Sequence, residues 1–541
     1  MRLPMNTFEV GGAGSASPNR DISKDGRRNR AEFYVMTHFR LFWWVIQKFG
    51  PTNRWMNRFL INTAVLKIPP RPEPLSTMAP YTSWDSLTDR TFDGRHLKPK
   101  PAGDLPELTR VTELFRRGEQ TRLCPKSTLL FATFAQWFTD GFLRSDRTEP
   151  RDYRKNTSNH QIDLCQLYGI KRSVTGLLRE GRGGRLLADP DTHAPEEFPP
   201  RLCMPNGKRV RAFRDLDVLR LEMCEDKHIP GLFALGGDRA NTQVGYAMMS
   251  VLFFREHNRI AGELATAHHG DSEWDDERLF QTARNILIVL LIKIVIGEYI
   301  NHISPFHFKF SLDTASLARM TWFRENWMAV EFNLLYRWHS LIPSVIKVEG
   351  KAIAAKETVF NNDILLKRGL GPLFEDFSNQ PAGEIGLFNT DEDLLFIEAA
   401  SVAQGRFVQL GSYNDYRANC GFPPVDDFDQ ISSDPAIQEA LSRIYGNAHA
   451  IEFYPGLFAE DRKVNSALPP LIGRMVALDA FSQALTNPLL APRVYKRETF
   501  SDVGWEIIHQ THTLSDILNR NVKDGEHYYV SMTRNDWQRG N

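Results

Sequence analysis

Residues 277–303, ERLFQTARNILIVLLIKIVIGEYINHI, limit the possible folds more than any other stretch, because they are apolar around almost the whole circumference of a helix. Such a helix must be enclosed, by lipid or by a large protein core. Lys293 breaks its central run ILIVLLIKIVI, which favours the core. Enclosing it takes many other helices. Helical patterns are present at 131–142, 245–266, 323–336, 394–410, 435–445 and 471–485. Strand signals are few, the clearest being 346–348 with 352–353 across a Glu–Gly turn. No repeat of fixed period is present. The expected fold is mainly α, with residues 69–541 forming one large catalytic domain and little strand.

At 541 residues, 42% of them hydrophobic, the chain has ample material for that core. Its 66 basic and 66 acidic side chains cancel, so no field favours nucleic acid, and none is expected as a partner. Cys124, Cys165, Cys203, Cys224 and Cys420 are scattered, odd in number and contain no CxxC pair, which fits a reduced, cytoplasmic setting. Residues 1–30 are polar, lack the apolar segment of a secretory signal, and read as a disordered tail, so folding is expected to begin near Ala31. Within residues 31–68, the segments 33–49 (FYVMTHFRLFWWVIQKF) and 54–68 are aromatic-rich and amphipathic. The first is interrupted by His38, Arg40, Gln47 and Lys48 and falls short of the ~20 apolar residues needed to span a bilayer. They suit helices lying in a membrane interface, or helices docked on the body. Residues 69–110 are rich in Pro and turn residues and read as a connector.

Residues 331–343, EFNLLYRWHSLIP, carry the most chemical information. One helix through them places Tyr336 and His339, three apart, on the same face. Imidazole is a usual axial ligand of haem iron, and a phenol one turn away is close enough to be oxidised by it. Alone, the pattern is weak, since a histidine on an apolar helix is more often a satisfied core residue.

The string nevertheless resembles the segment of prostaglandin cyclooxygenases that holds a radical tyrosine and the proximal histidine, and YRxHS is also similar to plant α-dioxygenases and fungal linoleate dioxygenases. Five further segments in the same order carry the resemblance: FAQWFTDGF at 134–142, VLFFREHNR at 251–259, residues 277–310, IEFYPGLF at 451–458 and TNPLL at 486–490. The chain is thereby identified as a member of the animal-type haem peroxidases, cyclooxygenase- or α-dioxygenase-like. The resemblance implies His339 as iron ligand, Trp338 beside it in the cofactor-binding set, Tyr454 as a support of that histidine through water, Tyr336 as the radical former and Tyr299 as its hydrogen-bond partner. It also implies Gln136 on the distal helix. The distal histidine of the family is replaced by Asp140, which could shuttle protons with Arg239 or be no more than its salt-bridge partner.

Thr139 and Thr242 stand where some relatives place haem-esterifying acids, so non-covalent haem b is expected. Gly141 replaces a calcium-ligating aspartate and leaves only Asp163 nearby, so calcium is not expected. The family's carboxylate clamp falls on Phe306, Ala477 and Asn62, so the substrate is expected to enter in the opposite sense, to lack a free carboxylate, or to use another base such as Lys67 or Arg337; Ser482 lies near the acetylatable serine. The implied function is oxygenation of a fatty acid or related lipid by O2 through a Tyr336 radical, giving a hydroperoxide. The resemblance tips the N-terminal helices towards monotopic membrane attachment on the cytoplasmic side. The alternatives are a peroxidase of small organic substrates using Asp140 and Arg239, and a haem-binding sensor without turnover.

Overall fold

The apolar run lies, as its composition requires, in the middle of the protein. The computed structural model describes residues 26–67, 79, 81–101, 103–314, 320, 322–323 and 325–539. In chain order the principal helices are α1 (Gly26–Thr37), α2 (Arg40–Lys48), α3 (Gly50–Val65), α4 (Leu129–Asp140), α5 (Val244–Ala267), α6 (Asp276–Ile294), α7 (Val330–Leu335), α8 (Leu395–Phe407), α9 (Pro435–Tyr445), α10 (Pro470–Leu485) and α11 (Arg497–Gln510). Helix α6 packs against α5 and α11, and α5 against α4, so the core is mainly α. Lys293 is accommodated there because its ammonium donates to the Ile508 carbonyl, in the last turn of α11, where helical carbonyls lack partners of their own. After Ile294 the helix passes through a π turn, Val295–Tyr299, and one last α turn, Ile300–Ile303. Asn301 donates to the Gly297 and Phe310 carbonyls, at 2.8 and 2.9 Å, and so ties the π turn to the segment that follows.

The REHNR string of α5 is structural. Arg255 donates to the carbonyls of Glu197 and Asn521, and Glu256 accepts from Arg259, Arg520 and Asn521. His257 is held between the Tyr168 hydroxyl and the Gly184 carbonyl, and burial pushes its pKa down to about 3. Asn258 exchanges two hydrogen bonds with the Leu186 backbone. Four consecutive side chains thus staple the loop around residues 184–197 and the C-terminal region to the core helix, replacing the secondary structure that this loop lacks.

The expected hairpin is present, Val345–Val348 pairing antiparallel with Lys351–Ala354. Glu349 and Gly350 at its tip both have positive φ, as a two-residue hairpin turn demands. Other boundaries differ from the sequence expectation. Helix α1 starts at Gly26, inside the segment read as a disordered tail; residues 1–25 of that segment lie outside the described residues. The aromatic stretch 33–49 is split between α1 and α2 by Phe39, at φ 55°. Of the expected helix 323–336, only Val330–Leu335 is helical. The preceding backbone and side chains are claimed by other loops: Trp327 donates to the Phe92 carbonyl, Asn326 to the His160 carbonyl, and the Met328 amide to the His160 ring.

Helices α1–α3 dock on the body by one face. Trp43 packs edge-on against Phe308, Asn57 exchanges hydrogen bonds with the Ser311 backbone, Arg58 pairs with Asp313 at 2.8 Å, and α3 lies along α10. The opposite face is bare. Of the 24 exposed large hydrophobic residues among those described, 11 lie between Tyr34 and Leu66.

Candidate active site

The segment after α7 is not the continuous helix that the i, i+3 spacing suggests. Helix α7 stops at Leu335, Tyr336 and Trp338 leave helical geometry, and His339 opens a separate 3-10 turn, His339–Leu341. Helical periodicity therefore does not relate Tyr336 to His339. Their placement comes from contacts made separately by each residue. Helix α7 is pinned by Glu331, which accepts from the His96 amide and the Tyr416 hydroxyl, and by Asn333, which donates to Asp93.

The His339 Nδ1 lies 3.1 Å from a Glu398 carboxylate oxygen supplied by α8. The same oxygen accepts from the Thr390 hydroxyl at 2.8 Å, and the other accepts from the Tyr454 hydroxyl at 2.5 Å. The resemblance made Tyr454 a support of the histidine. In the structure it acts on Glu398, and Glu398 contacts the ring. Sequence reading did not find Glu398; its one trace is a single acid among the apolar and small residues of LFIEAASVA. Nδ1 is thereby occupied, and 18% of the His339 side chain remains open, with no hydrogen-bond partner at Nε2 among the described residues. An imidazole held at one nitrogen and open at the other is what an axial haem ligand requires, so these residues fit haem.

Tyr336, three residues before His339, stands in an aromatic wall. Its ring lies 5.0 Å from Phe332 and 4.6 Å from Trp338, and Phe131 stacks on both Trp338 and Tyr299. Tyr299, at the end of the π turn, is also packed by Phe134 and Phe138. The Tyr336 and Tyr299 hydroxyls face and interact with one another, and neither has a further hydrogen-bond partner among the described residues. Burial pushes both phenols up, so both are neutral at ordinary pH. The Trp338 indole N–H has no hydrogen-bond partner among the described residues.

On the distal helix α4 eleven of twelve side chains are buried and Gln136 alone is exposed, so Gln136 faces open space. Asp140, four residues on, is enclosed. The Arg239 guanidinium contacts one of its oxygens; the other accepts from Tyr246 at 2.6 Å and pairs with Arg144 at 3.2 Å. Arg144 also reaches Asp238 at 2.7 Å, as does Arg147 at 2.6 Å. Burial, and then the nearby Arg337 guanidinium, push Arg239 down to about 10, which leaves it cationic at neutral pH. That coupling also places Arg239 within electrostatic reach of the segment that carries His339. The roles of Tyr246 and Arg144 were not read from the sequence, since nothing in their spacing marks them.

The Thr139 and Thr242 hydroxyls donate to the carbonyls of Ala135 and Arg239. Beside Gly141 the Gln166 side chain fills the space, at 2.7 Å from where a Cβ would stand. Asp163 accepts from Asn159 and from the Cys165 amide. Among the clamp positions, Asn62 accepts from the Trp322 indole, Phe306 and Ala477 are half-buried, and Ser482 donates to the Asp479 carbonyl. Lys67 pairs with Glu32 at 2.5 Å, and Arg337 donates to Gln404 at 3.4 Å.

Prostaglandin G/H synthase 2 of Equus caballus is 30% identical over 508 residues, covering 91% of this chain and 80% of that protein. In fold, the chain is similar to the fatty acid alpha-dioxygenase of Arabidopsis thaliana (TM-score 0.67, 14% identity, 96% of each chain covered) and to that of Oryza sativa (TM-score 0.66, 18% identity, 92% of this chain and 96% of that one). Residues 139–533 match the family described as Animal haem peroxidase. With that match spanning most of the chain and an open, oriented His339 inside it, the chain belongs to the animal haem peroxidase family, is an oxidoreductase, and is implied to carry haem.

Proposed function

We propose that the protein is a haem-dependent dioxygenase of a fatty acid or related lipid, working through Tyr336. The observation that carries this reading is the Tyr336–Tyr299 pair: two phenols whose enclosed hydroxyls interact with one another, walled by aromatic rings, in the same segment as His339. Haem, non-covalent and of the b type in this reading, supplies the one-electron oxidising power when bound. Tyr336, having lost an electron and its hydroxyl proton, takes a hydrogen atom from a lipid carbon and returns to the phenol. O2 adds to that carbon, and the peroxyl radical recovers a hydrogen atom from Tyr336, so lipid C–H and O2 become a hydroperoxide and the phenoxyl is regenerated. Tyr299 positions the Tyr336 ring, and the Phe131, Phe134 and Phe138 rings exclude water that would otherwise intercept the radicals. A rice fatty acid alpha-dioxygenase was solved with palmitic acid, which supports a long aliphatic substrate.

The N-terminal helices fit this substrate class. Leu41, Phe42, Trp44, Val45, Phe49, Trp55 and Phe59 are exposed beside Arg40, Lys48 and Arg54, which suits attachment to a membrane surface where fatty acids partition. The five free cysteines support placement on the cytoplasmic side.

The second reading, a peroxidase of small organic substrates using Asp140 and Arg239, draws on the contact between them. Against it, Asp140 also accepts from Tyr246 and pairs with Arg144, so its oxygens are committed to holding neighbouring side chains in place.

The test is O2 consumption by haem-loaded protein with saturated and unsaturated fatty acids, run beside Tyr336→Phe with haem content fixed by absorbance. Uptake that requires Tyr336 supports the dioxygenase. No uptake at full haem loading sinks it.

A further inference from the structure

We infer that Glu398 sets the electron-donating strength of His339 toward the haem iron, acting as a positioning and tuning residue through the imidazole. The inference rests on the reading of His339 as axial ligand. The Glu398 side chain is 2% exposed and its carboxylate faces His339 Nδ1 at 3.1 Å. Thr390 and Tyr454 both donate to it. With hydroxyl donors on both oxygens and the ring N–H on one, Glu398 is an acceptor, and its charge sits one imidazole away from the metal position. Hydrogen bonding to that anion fixes the tautomer that leaves Nε2 as the ligating atom, and it draws the Nδ1 proton away from the ring. The ring becomes a stronger donor, and a nearby negative charge in a buried setting favours the more positive, ferric state over the ferrous one. Thr390 and Tyr454 oppose the effect: each hydrogen bond they donate takes up part of the carboxylate's charge. The site is therefore a balance, with Glu398 pushing electron density toward the iron and two hydroxyls moderating it.

The balance predicts shifts of opposite sign, which a merely structural role would not produce. In haem-loaded full-length protein, the ferric/ferrous midpoint potential is measured by spectroelectrochemistry, and the ferrous iron–histidine stretch by resonance Raman. Glu398→Gln, which keeps shape but removes the charge, should raise the potential and lower the stretching frequency. Tyr454→Phe, which leaves the charge less shared, should lower the potential and raise the frequency. If Glu398→Gln fails to hold haem, Tyr454→Phe and Thr390→Val carry the test alone. A Glu398→Gln shift of the same sign as that of Tyr454→Phe, a raised potential in Tyr454→Phe or Thr390→Val, or no shift at all overturns the inference while leaving the dioxygenase reading standing. A haem spectrum unchanged by His339→Ala overturns the ligand assignment itself, and this inference with it.

Discussion

The two sides of the candidate site use their polar groups in opposite ways. On the proximal side the polar atoms are left open: among the described residues His339 presents an unpartnered Nε2, and the Tyr336 and Tyr299 hydroxyls have only one another. On the distal side Asp140 is consumed by Arg239, Arg144 and Tyr246. A carboxylate and a phenol are both competent proton carriers as isolated groups. What separates them here is occupancy. A buried polar atom that the fold has left unsatisfied keeps its chemistry for another partner, whereas one tied into an ion-pair cluster has become part of the scaffold.

This contrast is broken most directly at Tyr336. Tyr336→Phe should reduce lipid-dependent O2 uptake to that of free haem while the haem spectrum stays unchanged; surviving uptake would move the chemistry to the distal side. The next largest effect is expected in stability. Asp140→Ala leaves the Arg239 and Arg144 guanidiniums without their shared anion and should destabilise the fold by about 3–5 kcal/mol in urea unfolding, with oxygenation by the surviving folded fraction retained. An Asp140→Ala protein of native stability and no activity would make Asp140 a working acid instead.

A smaller effect is expected far from the haem. Trp44→Ala should weaken co-sedimentation with lipid vesicles by about 1.5–3 kcal/mol, the range for an exposed large apolar side chain entering an apolar phase, without altering O2 uptake on dispersed substrate. Unchanged vesicle binding would assign the bare face of α2 to some other partner. A comparable effect lies at the π turn that carries Tyr299. Burial, and then Asp516, raise Glu298 from 4.5 to about 7, despite its hydrogen bond from the Leu514 amide. The folded state thus holds this proton more tightly than the unfolded chain does. Its contribution is fully present below pH 4.5 and is lost as pH rises through about 7. Glu298→Gln should flatten that part of the stability–pH curve, by about 3 kcal/mol between its ends. An unchanged curve would show that Glu298 ionises freely and that the turn bears no such load.

How much of this was legible in the residues varies with the range of the forces involved. The buried α6, the Glu–Gly hairpin and α9, expected at 435–445 and present as Pro435–Tyr445, follow from local periodicity and turn chemistry. Helix α7 fell short of its expected length because backbone and side chains near Met328 are satisfied by residues more than 150 positions away, which no local pattern encodes. The same holds for Glu398, 59 residues from His339, and for Tyr246, 106 residues from Asp140.

The sequence by itself determined that a large helical body must enclose residues 277–303, that an amphipathic aromatic segment precedes it, and that Tyr336 and His339 sit three residues apart, because apolar period and residue order are properties of the chain. Tertiary structure alone decided which side chains stay available. It broke the helix between Tyr336 and His339, placed Glu398 behind the imidazole and locked Asp140 between arginines, because desolvation and hydrogen-bond satisfaction depend on what folding brings alongside each atom.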